Sequence, residues 1–76
     1  MNLLDRITVN PDILTGKPTI RGLRISVDQI LKALAAGLTN EELIEDFPEL
    51  ESDDIKAALL YASKILESEK VFKISA

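Results

Sequence analysis

Apolar residues recur at helical spacing from Ser26 onward, and this pattern predicts three consecutive helices. Ser26 and Gln29 have the spacing of a capping box, which closes the first turn of a helix. The apolar face of this first helix contains Val27, Ile30, Leu31, Leu34 and Leu38. Gly37 suits the position after a helix, because glycine adopts a left-handed backbone conformation at little cost. The first helix is therefore expected between Ser26 and Gly37.

The second predicted helix is short and lies between a capping signal and a proline. Thr39 and Glu42 form another capping box. The inner face is supplied by Leu43, Ile44 and Phe47. Pro48 ends the helix, because the residue before a proline avoids the helical conformation.

The third predicted helix begins at Ser52, which we expect to cap it. Asp53 and Asp54 lie in its first turn, where the helix dipole favours negative charge. Its apolar stripe contains Ile55, Ala58, Leu59, Ala62, Ile65 and Leu66. At about 100° per residue, Leu60 points nearly opposite that stripe, so it is a candidate contact residue.

Short extended patterns occupy the two ends of the chain. "RITVN" alternates polar and apolar residues, and "PTIRGLRI" offers a second extended run that is broken at Gly22. Asn10-Pro11 and Gly16 mark a turn between these runs, which predicts a hairpin or an extended arm. At the other end, "EKVFKISA" places Phe72 and Ile74 on one side if it is extended, and that side must pack on the hairpin or on another chain. Phe72 is therefore a second candidate contact residue.

These elements predict one mainly α domain over residues 1–76, with an arm or hairpin (1–25), a three-helix body (26–67) and a tail (68–76). A domain of 76 residues has a thin stability margin. Neither cysteine nor histidine is present, so disulfides and cysteine–histidine metal sites cannot reinforce the fold. We therefore expect a homodimer, which buries more apolar surface.

The chain lacks the sequence signals of membrane insertion or export. No apolar run approaches the roughly 18 residues that a membrane helix needs. The first ten residues do not have the pattern of a signal peptide. Together with the absence of cysteine, this favours a cytoplasmic protein.

Positive charge is concentrated in the arm of an acidic chain whose formal net charge is −4. Residues 1–25 carry four cations and two acids, a sum of +2, whereas residues 26–76 carry five lysines and eleven acids, a sum of −6. Lys17, Arg21 and Arg24 are predicted to form one basic ridge that meets phosphates or acidic side chains. The alternative is that they pair with the chain's own carboxylates or cap helix carbonyls, and charge balance does not separate the two.

The composition argues against an enzyme. Without histidine there is no histidine-assisted serine nucleophile, and Ser26 and Ser52 are expected to be helix caps. The stretch "EELIEDFPELESDD" holds eight carboxylates, but it has the pattern of a solvated surface and no EF-hand or zinc spacing. No catalytic residue, cofactor or metal site is predicted.

The last two predicted helices have the arrangement of a helix-turn-helix joined by "PELES". Its recognition helix would begin with Ser52-Asp53-Asp54, and DNA phosphates would repel the two aspartates. Any contact with DNA is therefore expected from the arm.

The residues from Ile7 to Leu59, including "GKPTIRGLRISV", "LAAGLTNEELIEDFPEL" and "IKAAL", resemble the bacterial family catalogued as domain of unknown function 433. The resemblance implies a homeodomain-like trihelical fold. It also implies an antitoxin that binds and silences a PIN-like ribonuclease, whose active site is lined with carboxylates. We expect such a partner to meet the basic ridge, and operator DNA is the second expected partner. The alternatives are a stand-alone DNA-binding regulator and a protein-interaction module without toxin or DNA.

Overall fold

The structure is a computed structural model that describes residues 2–68. This part of the chain contains a two-stranded antiparallel hairpin and three helices: β1 (Ile7–Thr8), β2 (Thr19–Ile20), α1 (Val27–Ala35), α2 (Asn40–Asp46) and α3 (Ser52–Ser68). Short 3₁₀ turns occupy Leu3–Arg6 and Leu14–Gly16. The predicted mainly α architecture with an N-terminal hairpin is confirmed. Of the predicted tail, residue 68 belongs to α3, and residues 69–76, with Phe72, lie outside the described residues.

The hairpin is short, and β2 is its better-connected strand. Ile7 pairs with Ile20 and Thr8 with Thr19, while Thr19 also bridges to Ser26 on the other side of β2. Thr19 and Ile20 are completely buried. A two-residue strand pair is marginal by itself, so packing on the helices stabilises this one.

A tight turn follows β2 and determines where the next side chains point. Arg21 and Gly22 both have positive φ, of 46° and 73°, and the Leu23 N–H donates to the Ile20 carbonyl at 2.7 Å. Two consecutive positive φ values are the mark of a type I′ turn, which matches the twist of a hairpin. The chain returns beside β2, where the Ile20 N–H donates to the Ile25 carbonyl at 3.0 Å.

The first two helices begin as the sequence predicts. The Ser26 hydroxyl accepts from the Gln29 N–H at 3.0 Å, and the Gln29 side chain accepts from the Ser26 N–H at 2.9 Å. Thr39 and Glu42 make the same reciprocal pair. Both capping boxes are therefore complete.

The predicted cap of α3 is wrong. Ser52 is the first residue inside the helix, and the Asp54 carboxylate accepts from the Glu51 N–H at 2.8 Å instead. Asp54 is completely buried, so the packed face of α3 includes a charged residue.

The core joins the hairpin region to all three helices. Its buried members are Ile20, Ile25, Val27, Ile30, Leu43, Leu50, Ile55 and Ala58. Because Asp54 and Ala57 are also buried, the packed face of α3 is rotated away from the predicted apolar stripe. Leu59, predicted on that stripe, is 50% exposed, whereas Leu60, predicted to point outward, is half-buried.

Candidate partner-binding face

Arg21 is paired with the chain's own carboxylate, although 36% of its side chain is exposed. Its guanidinium forms a bidentate pair with Asp54, with Nε to Oδ1 at 3.0 Å and Nη2 to Oδ2 at 2.9 Å. Nη2 also donates to the Glu49 carbonyl at 2.7 Å. The positive φ of Arg21 directs its side chain from the turn toward the start of α3. The predicted three-residue ridge is wrong at this position, because the chain's own carboxylate holds the arginine.

A second arginine that the sequence analysis did not single out completes this cluster. Arg6 Nη1 donates to Asp54 Oδ1 at 2.9 Å and to Glu51 Oε1 at 2.7 Å. Asp54 thus accepts from Arg6, Arg21 and the Glu51 N–H, and no buried side-chain polar atom among the described residues lacks a partner. The sequence offered one signal for the role of Asp54. This residue lies three positions after Glu51, in the first turn of α3, where a side chain can cap the helix.

The three charged groups shift one another's pKa values. Burial raises the pKa of Asp54, but hydrogen bonds from Arg21, the Glu51 N–H and Arg6 outweigh it, so the net pKa lies below its ordinary value. Hydrogen bonds to Glu51 and Asp54 raise the pKa of Arg6, and the bond to Asp54 raises that of Arg21. All three groups are therefore ionised at neutral pH, as a buried ion network requires.

Lys17 and Arg24 remain exposed and share one surface depression. The depression has a volume of about 450 Å³, and its walls also include Leu14, Thr15, Ser26 and Gln29. Neither cation has a carboxylate of residues 2–68 within ion-pair distance, whereas every other lysine and arginine in that range has one. Asp28, which also borders the depression, pairs with Lys32 at 3.1 Å. Two of the three ridge residues are thus brought together, and neither pairs with a carboxylate of residues 2–68.

An apolar groove of about 500 Å³ lies next to this depression. It runs between α1 and the later turns of α3, and its apolar walls include Val27, Leu31, Tyr61, Ala62, Ile65 and Leu66. Lys17 borders both the groove and the depression. Ile65 and Leu66 are 40% and 61% exposed. Leu60 does not line the groove, and Phe72 lies outside the described residues.

Neither a membrane span nor a metal site is present in residues 2–68. No helix there is long and apolar enough to cross a membrane. In the same part of the chain, no group of three or more acidic, cysteine or histidine side chains is arranged to hold a metal ion.

Comparison with known proteins places the chain in a family. The family model described as "Protein of unknown function (DUF433)" matches residues 7–62. The chain is a DUF433 protein. This DUF433 chain is 39% identical over 56 residues to the uncharacterized protein y4eO of Sinorhizobium fredii, covering 74% of the chain and 25% of that relative. It thus spans about a quarter of the length of this curated relative.

A crystal structure of a DUF433 member from Anabaena variabilis has the same fold. The TM-score is 0.76 at 29% sequence identity, over 82% of this chain and 61% of the neighbour. The descriptions of the family and of these two proteins name no activity. The function proposed for this DUF433 chain therefore rests on its own surface.

Proposed function

We propose that this DUF433 domain is a non-enzymatic protein-binding domain that acts as the antitoxin of a PIN-like ribonuclease. The observation that carries this proposal is that the exposed cations Lys17 and Arg24 have no carboxylate partner within residues 2–68, in a chain of net charge −4. Two adjacent cations on an acidic protein present a local patch of opposite sign to the rest of its surface. Such a patch attracts an acidic surface and sets the orientation in which it docks.

The resemblance of the chain to antitoxins of PIN-like ribonucleases indicates which class of protein supplies that acidic surface. A PIN-like ribonuclease holds its catalytic metal ions with a cluster of carboxylates. Lys17 and Arg24 line the same surface depression, so one carboxylate cluster can meet both cations. Docked at the mouth of that cluster, the two cations compete with the metal ions and exclude the RNA phosphates.

The test is co-expression with the product of the adjacent gene, which the proposal expects to be a PIN-like ribonuclease, followed by co-purification and a nuclease assay. We expect the double variant Lys17→Glu/Arg24→Glu to weaken binding by roughly tenfold or more and to release nuclease activity, because it places negative charge against carboxylates. The matched control is Lys32→Glu/Lys56→Glu, which changes the net charge equally at two exposed residues outside the depression. If both double variants lost ribonuclease binding equally, net charge alone would explain the loss, and the proposal would be contradicted.

Operator DNA is the competing partner for the same two cations. Asp53 is exposed at the start of α3 and Asp54 is held by the arginines, so the amino-terminal turn of this helix offers no cation to DNA phosphates. Binding to operator DNA that weakens steeply with salt, and whose salt dependence flattens in Lys17→Glu/Arg24→Glu, is the signature of a DNA regulator. That result, together with no binding to the ribonuclease, would identify the chain as a DNA-binding regulator and contradict the antitoxin proposal.

A further inference from the structure

The apolar walls of the groove have no role in the charge-based docking proposed above. We propose that this groove is the interface between two copies of the chain, related by a two-fold axis. Association with a second copy is a common way for a small domain without disulfides or cysteine–histidine metal sites to bury more apolar surface. The groove places the exposed Ile65 and Leu66 of α3 beside the half-buried Leu31 of α1.

The shape of this face suits self-association. A two-fold interface uses the same patch on both copies, so the patch must supply both a protrusion and a recess. Leu66 is 61% exposed at the edge of the groove, and the walls formed by Val27, Leu31 and Tyr61 provide the recess. With the two copies of α3 antiparallel, Leu66 of each copy inserts into the recess of the other.

The distribution of charge favours this face over the others. The groove is bordered by one cation, Lys17, and one anion, Asp28, so two facing copies bring opposite charges into proximity. In contrast, α2 carries four acids and no base: Glu41, Glu42, Glu45 and Asp46. Two acidic chains that met through α2 would repel each other, whereas the groove brings no excess negative charge together.

The dimer leaves room for the proposed ribonuclease contact. Arg24 lines the depression but not the groove, so a dimer formed through the groove keeps Arg24 on its surface. Each dimer then presents two copies of the cationic patch. The dimer depends on Leu66 and the apolar walls of the groove, whereas the ribonuclease contact depends on Lys17 and Arg24. Lys17 borders both surfaces, but Leu66→Glu tests the dimer while leaving both cations in place.

Sedimentation equilibrium on the full chain, without ribonuclease, tests the interface. We expect the wild-type chain to be a dimer at micromolar concentration and Leu66→Glu to raise the dimer dissociation constant by about a hundredfold, because a buried apolar anchor becomes a charge. Leu59→Glu is the matched control, since Leu59 is also an exposed leucine of α3 but does not line the groove, and it should remain dimeric. Circular dichroism of both variants checks that they are folded.

A second measurement identifies what lies in the groove. In a mixture of isotope-labelled and unlabelled chains, we expect nuclear Overhauser contacts from the Leu66 methyls of one copy to Leu31 or Tyr61 of the other. A wild-type chain that stays monomeric at millimolar concentration, or a dimer that Leu66→Glu leaves intact, would overturn the proposal. Contacts from Phe72 to the groove within one labelled chain, with none between chains, would assign the groove to residues 69–76 and would overturn it as well.

Discussion

Arg21 and Arg24 lie three residues apart in the same basic arm, yet they have opposite roles in the structure. Arg21 is held by a completely buried carboxylate, to which Nε and Nη2 of its guanidinium both donate, and Nη2 also donates to a backbone carbonyl. Arg24 is exposed and has no carboxylate partner among residues 2–68. Two arginines with almost the same sequence context therefore differ in role: Arg21 stabilises the fold, and Arg24 is available at the surface.

The comparison teaches that the position of the opposing carboxylate decides which role an arginine takes. Asp54 is excluded from water, so its charge depends on the two arginines that reach it. The exposed acids of the chain are solvated, and pairing with them contributes little. The turn after β2 gives Arg21 access to Asp54 and leaves Arg24 on the surface.

Neutralising each arginine in turn is the strongest way to break this comparison. We expect Arg21→Met to lower the free energy of unfolding by about 3 kcal/mol, because it leaves the buried Asp54 with only Arg6 and one backbone N–H. Arg24→Met should change it by less than about 0.5 kcal/mol, as for other surface positions. Urea unfolding of both variants measures the difference. Similar values for the two would mean that the buried carboxylate is not what distinguishes them.

Acid pH should remove a smaller part of the same stabilisation. Because the folded pKa of Asp54 is lowered, its contribution is fully present above its unfolded pKa of about 3.9 and is lost as pH falls through the folded value. The free energy of unfolding should therefore fall on acidification below that unfolded pKa. Asp54→Asn should flatten this dependence. Parallel pH profiles for wild type and Asp54→Asn would contradict the assignment.

A substitution in the turn that separates the two arginines should have the smallest effect on the free energy of unfolding. Gly22 has φ of 73° and open space around the position of a Cβ atom, so Gly22→Ala meets only a backbone cost. We expect a loss of about 1 kcal/mol by urea unfolding, since a left-handed conformation disfavours alanine. The Arg21–Asp54 pair should survive in a crystal structure of the variant. A loss as large as that of Arg21→Met, with the pair broken, would show that the turn and the ion pair form together.

Local signals in the sequence were sufficient for most of the secondary structure. The capping boxes at Ser26 and Thr39 and the hairpin are all present. They could be predicted because each depends on residues within a few positions of one another. The start of α3 at Ser52 was also predicted, although its capping contact comes from Asp54.

The face of α3 could not be predicted in the same way. Prediction from hydrophobic periodicity assigns aspartate to the solvent-facing side of a helix. It therefore placed Leu59 on the packed face of α3 and gave Asp54 no role in packing. Burial of Asp54 depends on Arg6 and Arg21, which lie 48 and 33 residues earlier in the chain. No local pattern carries that information.

The sequence by itself determined the helices, the hairpin and the excess of positive charge in the arm, because these follow from neighbouring residues and from composition. Only the tertiary structure decided which cations of that arm are available. Packing buried Asp54 beside Arg6 and Arg21, and it left Lys17 and Arg24 together in an exposed depression. The physical reason is that the strength of an ionic interaction depends on the distance between the charges and on how far water is excluded from them. Both are established only when distant segments of the chain pack together.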